Sequence, residues 1–456
     1  MRRVLMVFLS RRDTDASNPS CRWASQGNRV AVSCASKVPR TATSRRLGRY
    51  AFALVMTGFL AGCGGGSGGA VTDPPSPPAP PPPPVQPASL SGVLRIRDEG
   101  GSTVSGATIT VGTVSATSGQ DGRFVLAALS TGSALVRVTA PGFNPVQQSV
   151  LLQSGGNTLD MSLWRANSLY ETSDMVVYVP FGVTTVRGVF FLMIGLNVDN
   201  RHFVRGDLTQ YPLNPAQAEE AQDYRRRLLT LARTHGLALM GSISNFTAPV
   251  PASILQTLND VSTSGRPELA HAPLLLHGNS GGACASYDFT VQHPDRVIGF
   301  IIAKAAACLG QDAAPAIGVP GYFIFGEVDV VLPAAAAQMT ALFQQHRANG
   351  AVWALAVEPG AGHDLVADHD LLFNWMAEVI ARRLPATTTP GTPVQLSALD
   401  AGSGWLGDRI SRAIAADACY SGNKLAASWL PSEQTARNWQ AMVSSRSVTT
   451  ITACVP

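Results

Sequence analysis

The sequence predicts an α/β architecture: a mostly parallel sheet covered by helices on both faces, preceded by a small all-β sandwich. Three observations predict it. Residues 172–385 alternate near-continuous apolar runs (GVFFLMIGL, PLLLHG, VIGFIIA, GYFIFG) with amphipathic stretches, as expected of parallel strands buried on both faces. Residues 89–165 instead carry short alternating runs (GVLRIRD, GATITVG, GRFVLAAL, ALVRVTA, QSVLL) separated by Gly, Ser and Asp, the pattern of an antiparallel sandwich. The 456-residue length leaves room for two or three domains, and an apolar content of 45% supports a sizeable core.

Residues 1–62 are expected to be an N-terminal extension and signal peptide. Arg45, Arg46 and Arg49 precede the apolar run AFALVMTGFLAG, which is too short to span a bilayer and ends in small residues. Its end, Leu60-Ala61-Gly62-Cys63, resembles the lipobox of bacterial lipoproteins, which implies lipidation of Cys63 and an exported chain anchored at the outer membrane, periplasm or cell surface. Gly64 is not the aspartate that favours inner-membrane retention. The whole chain carries +4, but residues 1–62 hold 11 of the 34 Lys+Arg and only Asp13 and Asp15. The remainder is net −5 with no basic patch, which speaks against nucleic acid as a partner. Residues 63–88, GGGSGGA followed by a proline run, read as a linker: a flexible piece, then extended polyproline II.

Within residues 89–165, SGATITV (105–111), Asp121-Gly122-Arg123-Phe124 and Ala140-Pro141-Gly142-Phe143 resemble the carboxypeptidase regulatory-like domain. Asp121-Gly122 is expected to form a hairpin turn. The segment has no cluster of titratable side chains and reads as a spacer or weak binding module.

In residues 172–385 the stretch LLLHGNSGGACASY places Ser280 in a G-x-S-x-G pattern between a buried strand and a helix, the setting of a nucleophile elbow. The setting matters, because Gly65-x-Ser67-x-Gly69 fits the same pattern in the linker. A serine hydroxyl needs a base to take its proton and a third group to orient that base. Asp329 follows the strand GYFIF and His363 follows AVWALAV, so serine, acid and histidine come in the order and on the loops that an α/β hydrolase requires. Glu327, two residues from Asp329, is an alternative acid, and His369 an alternative base. For the oxyanion, Gly281 is the expected first N–H donor, and Leu196 or Asn197, in the loop after VFFLMI, the second. GNSGG with the following HPDRVIGFI is similar to secreted esterases of the polyhydroxyalkanoate depolymerase and feruloyl esterase kind. That resemblance implies ester hydrolysis through an acyl-serine intermediate, with Ser280 attacking, His363 shuttling the proton and Asp329 orienting His363. Only AKAAACLGQDAAPAIGVP separates FII from GYFIF, too little for a helical lid, which suits a bulky or polymeric ester, although residues 245–270 are long enough to cover the site. A serine peptidase or a catalytically silent surface binding protein is the alternative. No metal-ligand spacing and no dinucleotide fingerprint is present, so neither a metal nor a cofactor is expected.

Residues 386–456, a C-terminal extension, read as two or three short helices packed on the hydrolase domain. Cys284, Cys308, Cys419 and Cys454 are an even set for an oxidising compartment. Two disulfides are expected in any of three pairings, with Cys284 to Cys308 and Cys419 to Cys454 preferred because each is local.

Overall fold

The computed structural model describes residues 22–26, 29–33, 86–98, 100–195, 198–243, 251–305, 314–331, 333–366 and 368–444. The chain divides into two units, Met1–Pro81 and Pro82–Pro456. In the first, strands Arg22–Gln26 and Arg29–Ser33 pair antiparallel, with Arg22 opposite Ser33.

The second unit begins with the sandwich. One sheet runs Met161–Leu163, Ala88–Ile96, Arg123–Leu129, with Gly155–Thr158 also on Ala88–Ile96; the other runs Val114–Thr117, Thr108–Val111, Gly132–Thr139, Val146–Leu152. Alternate residues (Leu90 and Leu94, Phe124 and Leu126, Val136 and Val138) fill the space between the sheets, as a period of two demands. Two features differ from the sequence expectation. Ala88–Ile96 pairs parallel with both Gly155–Thr158 and Met161–Leu163, so the sandwich is mixed rather than wholly antiparallel. Asp121-Gly122 does not close a hairpin, because the strands before and after it lie in different sheets. The glycine serves that crossing: its φ is +73°, and a Cβ there would sit 2.5 Å from the Leu94 carbonyl oxygen.

Eight strands form the main sheet: β1 (Leu169–Glu171), β2 (Met175–Tyr178), β3 (Gly188–Ile194), β4 (Leu237–Ser242), β5 (Leu274–Asn279), β6 (Val297–Ala303), β7 (Gly321–Gly326) and β8 (Trp353–Glu358). Their spatial order is β1-β2-β4-β3-β5-β6-β7-β8; the β1-β2 and β2-β4 pairs are antiparallel and the rest parallel. This is the α/β-hydrolase arrangement. Helices α1 (Asn200–Arg205), α2 (Pro215–His235), α3 (Pro251–Thr263), α4 (Gly281–Gln292), α5 (Pro333–Ala348) and α6 (His369–Arg383) cover it. Alternation along each strand feeds two cores. Phe190, Leu192, Ile301 and Tyr322 pack with Leu228 of α2 and Trp375 of α6. Phe191, Met193, Ile302 and Phe323 pack with Leu258 of α3, Tyr287 of α4 and Phe343 of α5. Ile254, Leu258 and Val261 thus make α3 a crossover helix of the core, whereas its sequence alone allows it to serve as a cover for the site.

Helix α2 starts on a capping box, Asn214 with Gln217, has Pro215 in its first turn, and stops at Gly236 in the left-handed region. It carries the joint to the sandwich. The Arg225 guanidinium donates to both Asp98 carboxylate oxygens at 2.7 and 2.5 Å, and Arg233 donates to the Asp98 carbonyl at 2.6 Å.

The C-terminal segment differs from the helical expectation. It forms three short strands, β9 (Trp405–Gly407), β10 (Ile414–Ala416) and β11 (Ser428–Leu430), then one α-helix, α7 (Glu433–Val443), capped by Ser432. The segment packs beside β8, the edge of the main sheet: Ser428 Oγ accepts from the Leu355 N–H at 3.0 Å, and Trp439 Nε1 donates to the Leu355 carbonyl at 2.8 Å. Arg347 of α5 donates to the Ala427 carbonyl at 2.7 Å. Runs of three residues are too short for alternation to register in sequence, which is why GWLGDRISRAIA reads as helix.

Candidate active site

Ser280 stands between β5 and α4 with φ +56° and ψ −124°, outside the regions an L-residue favours. Such a conformation costs about 1–3 kcal/mol and persists only where surrounding structure fixes it. Two glycines and one hydrogen bond do so. A Cβ at Gly278 would fall 2.5 Å from Ser286 Oγ and from the Ala283 Cα, and one at Gly282 would fall 2.5 Å from the Met193 carbonyl carbon of β3. The Ser280 N–H donates to the Ala303 carbonyl at the end of β6, at 2.8 Å. The turn is therefore sharp enough to lift the side chain above the carboxyl ends of the strands.

Ser280, His363 and Asp329 come together. His363 Nε2 lies 2.8 Å from Ser280 Oγ, and His363 Nδ1 lies 2.7 Å from Asp329 Oδ2. A carboxylate only accepts, so the Nδ1 proton belongs to the bond with Asp329 and Nε2 is left to accept from the serine hydroxyl. The other Asp329 oxygen accepts from the Val331 N–H at 3.0 Å. The histidine and aspartate side chains are only 9% and 8% exposed, which shields the pair from competing water.

The two alternatives sit elsewhere. Glu327 accepts from the Gly360 N–H at 2.8 Å and so braces the loop that leads to His363. His369 is the first residue of α6 and meets Asp223 of α2 at 2.7 Å. On the same face, His277 lies 2.6 Å from the Tyr224 hydroxyl, and burial, with a smaller effect from His369, pushes its imidazole down to about 3. The half-buried Glu220 carboxyl is raised, first by desolvation.

Gly281 opens α4, so its N–H is one of the four that no intrahelical carbonyl can take, at the positive end of the helix. Leu196 and Asn197 lie outside the described residues. The residues that flank them are fixed: the Gly195 N–H donates to the Asn279 carbonyl at 2.9 Å, and buried Asn200 bonds both the N–H and the carbonyl of Ile194 at 3.0 and 3.3 Å.

Cys284 and Cys419 are each disulfide-bonded. Cys308, Cys454 and Cys63 lie outside the described residues, as do the apolar run 51–62 and residues 63–85 of the linker; Ala88, expected to end the linker, instead opens the first strand of the sandwich. No helix among the described residues is long and apolar enough to cross a membrane. Among those residues no group of three or more His, Cys, Asp or Glu side chains could hold a metal ion.

Four residues escaped the sequence reading: Asn200, Gly326, Lys304 and Glu358. Lys304 and Glu358 do carry a signal, a charge set immediately at the end of an apolar strand (VIGFIIAK, AVWALAVE).

Residues 90–163 match the family model of the carboxypeptidase regulatory-like domain. None of the curated proteins matches the chain. Among solved structures the chain is similar to an esterase, PE8, at 14% identity over 46% of this chain and 99% of that one, with a TM-score of 0.33. It is similar to an S-formylglutathione hydrolase from Staphylococcus aureus at 13% identity over 46% and 96%, with a TM-score of 0.32. A chain of a cohesin-X-dockerin complex from Acetivibrio cellulolyticus is similar at 16% identity over 18% of this chain, which spans 59% of that one, with a TM-score of 0.16. Likenesses this distant carry no argument about activity, which must rest on the side chains of the site.

Proposed function

We propose that the chain is a serine hydrolase that cleaves carboxylic esters through an acyl-serine intermediate. The observation that carries this is the continuous chain from Ser280 Oγ through His363 to Asp329, at 2.8 and 2.7 Å, on a serine with left-handed φ. Ser280 Oγ attacks the ester carbonyl carbon while His363 Nε2 takes its proton, and Asp329 stabilises the imidazolium that results. The tetrahedral oxyanion accepts from the Gly281 N–H and from a donor at Leu196 or Asn197. Collapse breaks the bond to the alkoxide, which leaves as alcohol with the proton from His363. Water, deprotonated by His363, then attacks the acyl-serine, the acid departs, and Ser280 regains its proton.

Bulky or polymeric esters fit best. Val328, Val330 and Val331, which flank Asp329, are 54%, 84% and 53% exposed, an apolar rim beside the reacting groups. Export and lipid anchoring at Cys63 belong to the same proposal and rest on the arginine-led apolar run and LAGC.

The test is covalent labelling of the purified chain with a fluorophosphonate, beside Ser280→Ala, with the adduct located by mass spectrometry and ester and peptide substrates compared. An adduct on Ser280 and ester turnover lost in the variant are expected. A folded chain that does not label would refute the assignment in favour of a binding protein, and cleavage of peptides alone would move it to a peptidase.

A further inference from the structure

Lys304 directly follows β6, and its side chain is entirely out of water. Its Nζ donates to Glu358 Oε2 at the end of β8, at 2.7 Å, and to the Gly362 carbonyl at 3.0 Å. Desolvating such a pair commonly costs more than the attraction returns, so the pair needs another reason to be there. The backbone gives the same hint, because Lys304 has φ +47°, unfavourable for a residue with a side chain.

What the ammonium holds is the loop that ends in His363. Among the described residues, three hydrogen bonds tie the backbone of that loop to neighbouring segments. The Gly360 N–H donates to Glu327, and the Val328 N–H donates to the Ala361 carbonyl at 3.0 Å, which join it to the loop carrying Asp329. The third is Lys304 Nζ on Gly362, the residue before His363, and it joins the loop to the end of β6. There the Ala303 carbonyl accepts from the Ser280 N–H, and the Lys304 N–H donates to the Ile324 carbonyl of β7. Residues 303 and 304 therefore touch the backbone of the nucleophile, the strand that leads to the acid, and the loop of the base.

Taking Ser280, Asp329 and His363 as the reacting set proposed above, we propose that Lys304, with Glu358 as its fixed counter-charge, is a positioning residue that sets the distance between His363 and Ser280. It does not touch the reacting atoms. Its effect is on proton transfer and not on substrate binding.

The experiment compares the wild-type chain with Lys304→Met/Glu358→Met, an apolar replacement of both members that leaves no buried charge alone. Steady-state hydrolysis of a p-nitrophenyl ester, a melting curve, and the low-field proton resonance of the His363 Nδ1–H are read for each. Expected are a kcat lower by about 10- to 100-fold, the loss that misplacement on the order of an ångström produces, with KM unchanged, a cooperative melt, and a broadened or shifted resonance. A folded double variant with wild-type kcat and an unaltered resonance would overturn the proposal and leave the pair purely structural. If the apolar pair does not fold, Lys304→Gln/Glu358→Gln, a neutral polar pair one atom short of Gly362, is read against the same outcomes. A wild-type chain that neither labels at Ser280 nor turns over ester removes the hydrolase assignment itself, a failure visible before any Lys304 variant is made, and the proposal falls with it.

Discussion

If Ser280, His363 and Asp329 are the reacting set proposed above, replacing Gly326 by alanine should disable turnover without touching any of them. The glycine ends β7, where the loop before His363 crosses it. A Cβ there would lie 2.9 Å from the Ala361 carbonyl carbon and closer still to the carbonyl oxygens of Ala361 and Gly362. Carbon atoms in contact settle at about 3.5–4.0 Å, so the loop must withdraw by roughly 0.6–1 Å. Withdrawal of that size takes the 2.8 Å bond between His363 Nε2 and Ser280 Oγ out of good hydrogen-bonding range. Misplacement of about 1 Å costs on the order of 100-fold in rate, or about 2.7 kcal/mol of barrier. The overpacking itself costs about 1–3 kcal/mol of stability, which a domain with two large cores tolerates. The assay is steady-state ester hydrolysis beside a thermal melt, with kcat expected to fall by about 100-fold at unchanged KM. A Gly326→Ala chain that melts slightly early but keeps wild-type kcat would show that the loop adapts and that its contact with β7 does not set the geometry.

Two other substitutions test the frame around the site. Asp98→Ala leaves the Arg225 guanidinium, whose side chain is 10% exposed, without its counter-charge; a loss of about 3–5 kcal/mol and early protease cleavage between the sandwich and β1 are expected. A wild-type melting curve and protease pattern would contradict a fixed joint. His277 is held neutral by burial, its imidazole pushed from 6.5 to about 3, so the unfolded chain binds a proton that the folded chain refuses. Its contribution is complete above about pH 6.5 and is lost as pH falls toward about 3, so urea midpoints should drop across that window more steeply in wild type than in His277→Asn. Parallel curves would place the acid sensitivity in other groups.

The parallel sheet was legible because its strands are long, apolar on both faces, and separated by helices with their own period, as GVFFLMI and VIGFIIA show. That Ser280, Asp329 and His363 would meet was legible because each follows a strand in a set order, so position constrained what residue type could not. That argument could not separate Asp329 from Glu327; a shift of two residues in the loop decides it, and backbone contact with Gly360 takes Glu327 away. Lys304 and Glu358 were harder, since β7 lies between their strands and only the assembled sheet brings them together. Asp121-Gly122 is legible as a turn but not as a crossing between sheets, because local turn chemistry says nothing about which sheet the next strand joins. The strands Trp405–Gly407 and Ile414–Ala416 are set by contacts with each other and with Ser428–Leu430, at separations no window spans.

The position of Ser428 and Trp439 on β8 bears on how the chain comes to fold. An uncovered edge strand is a template for pairing with any other strand, and here the covering residues lie in the segment that follows the sheet along the chain. Strands β1 to β8 precede that segment in sequence, and the β8 edge stays adhesive until the segment docks. A change far from Ser280, in the tail alone, can thus lower the yield of protein and leave the activity of each surviving molecule intact.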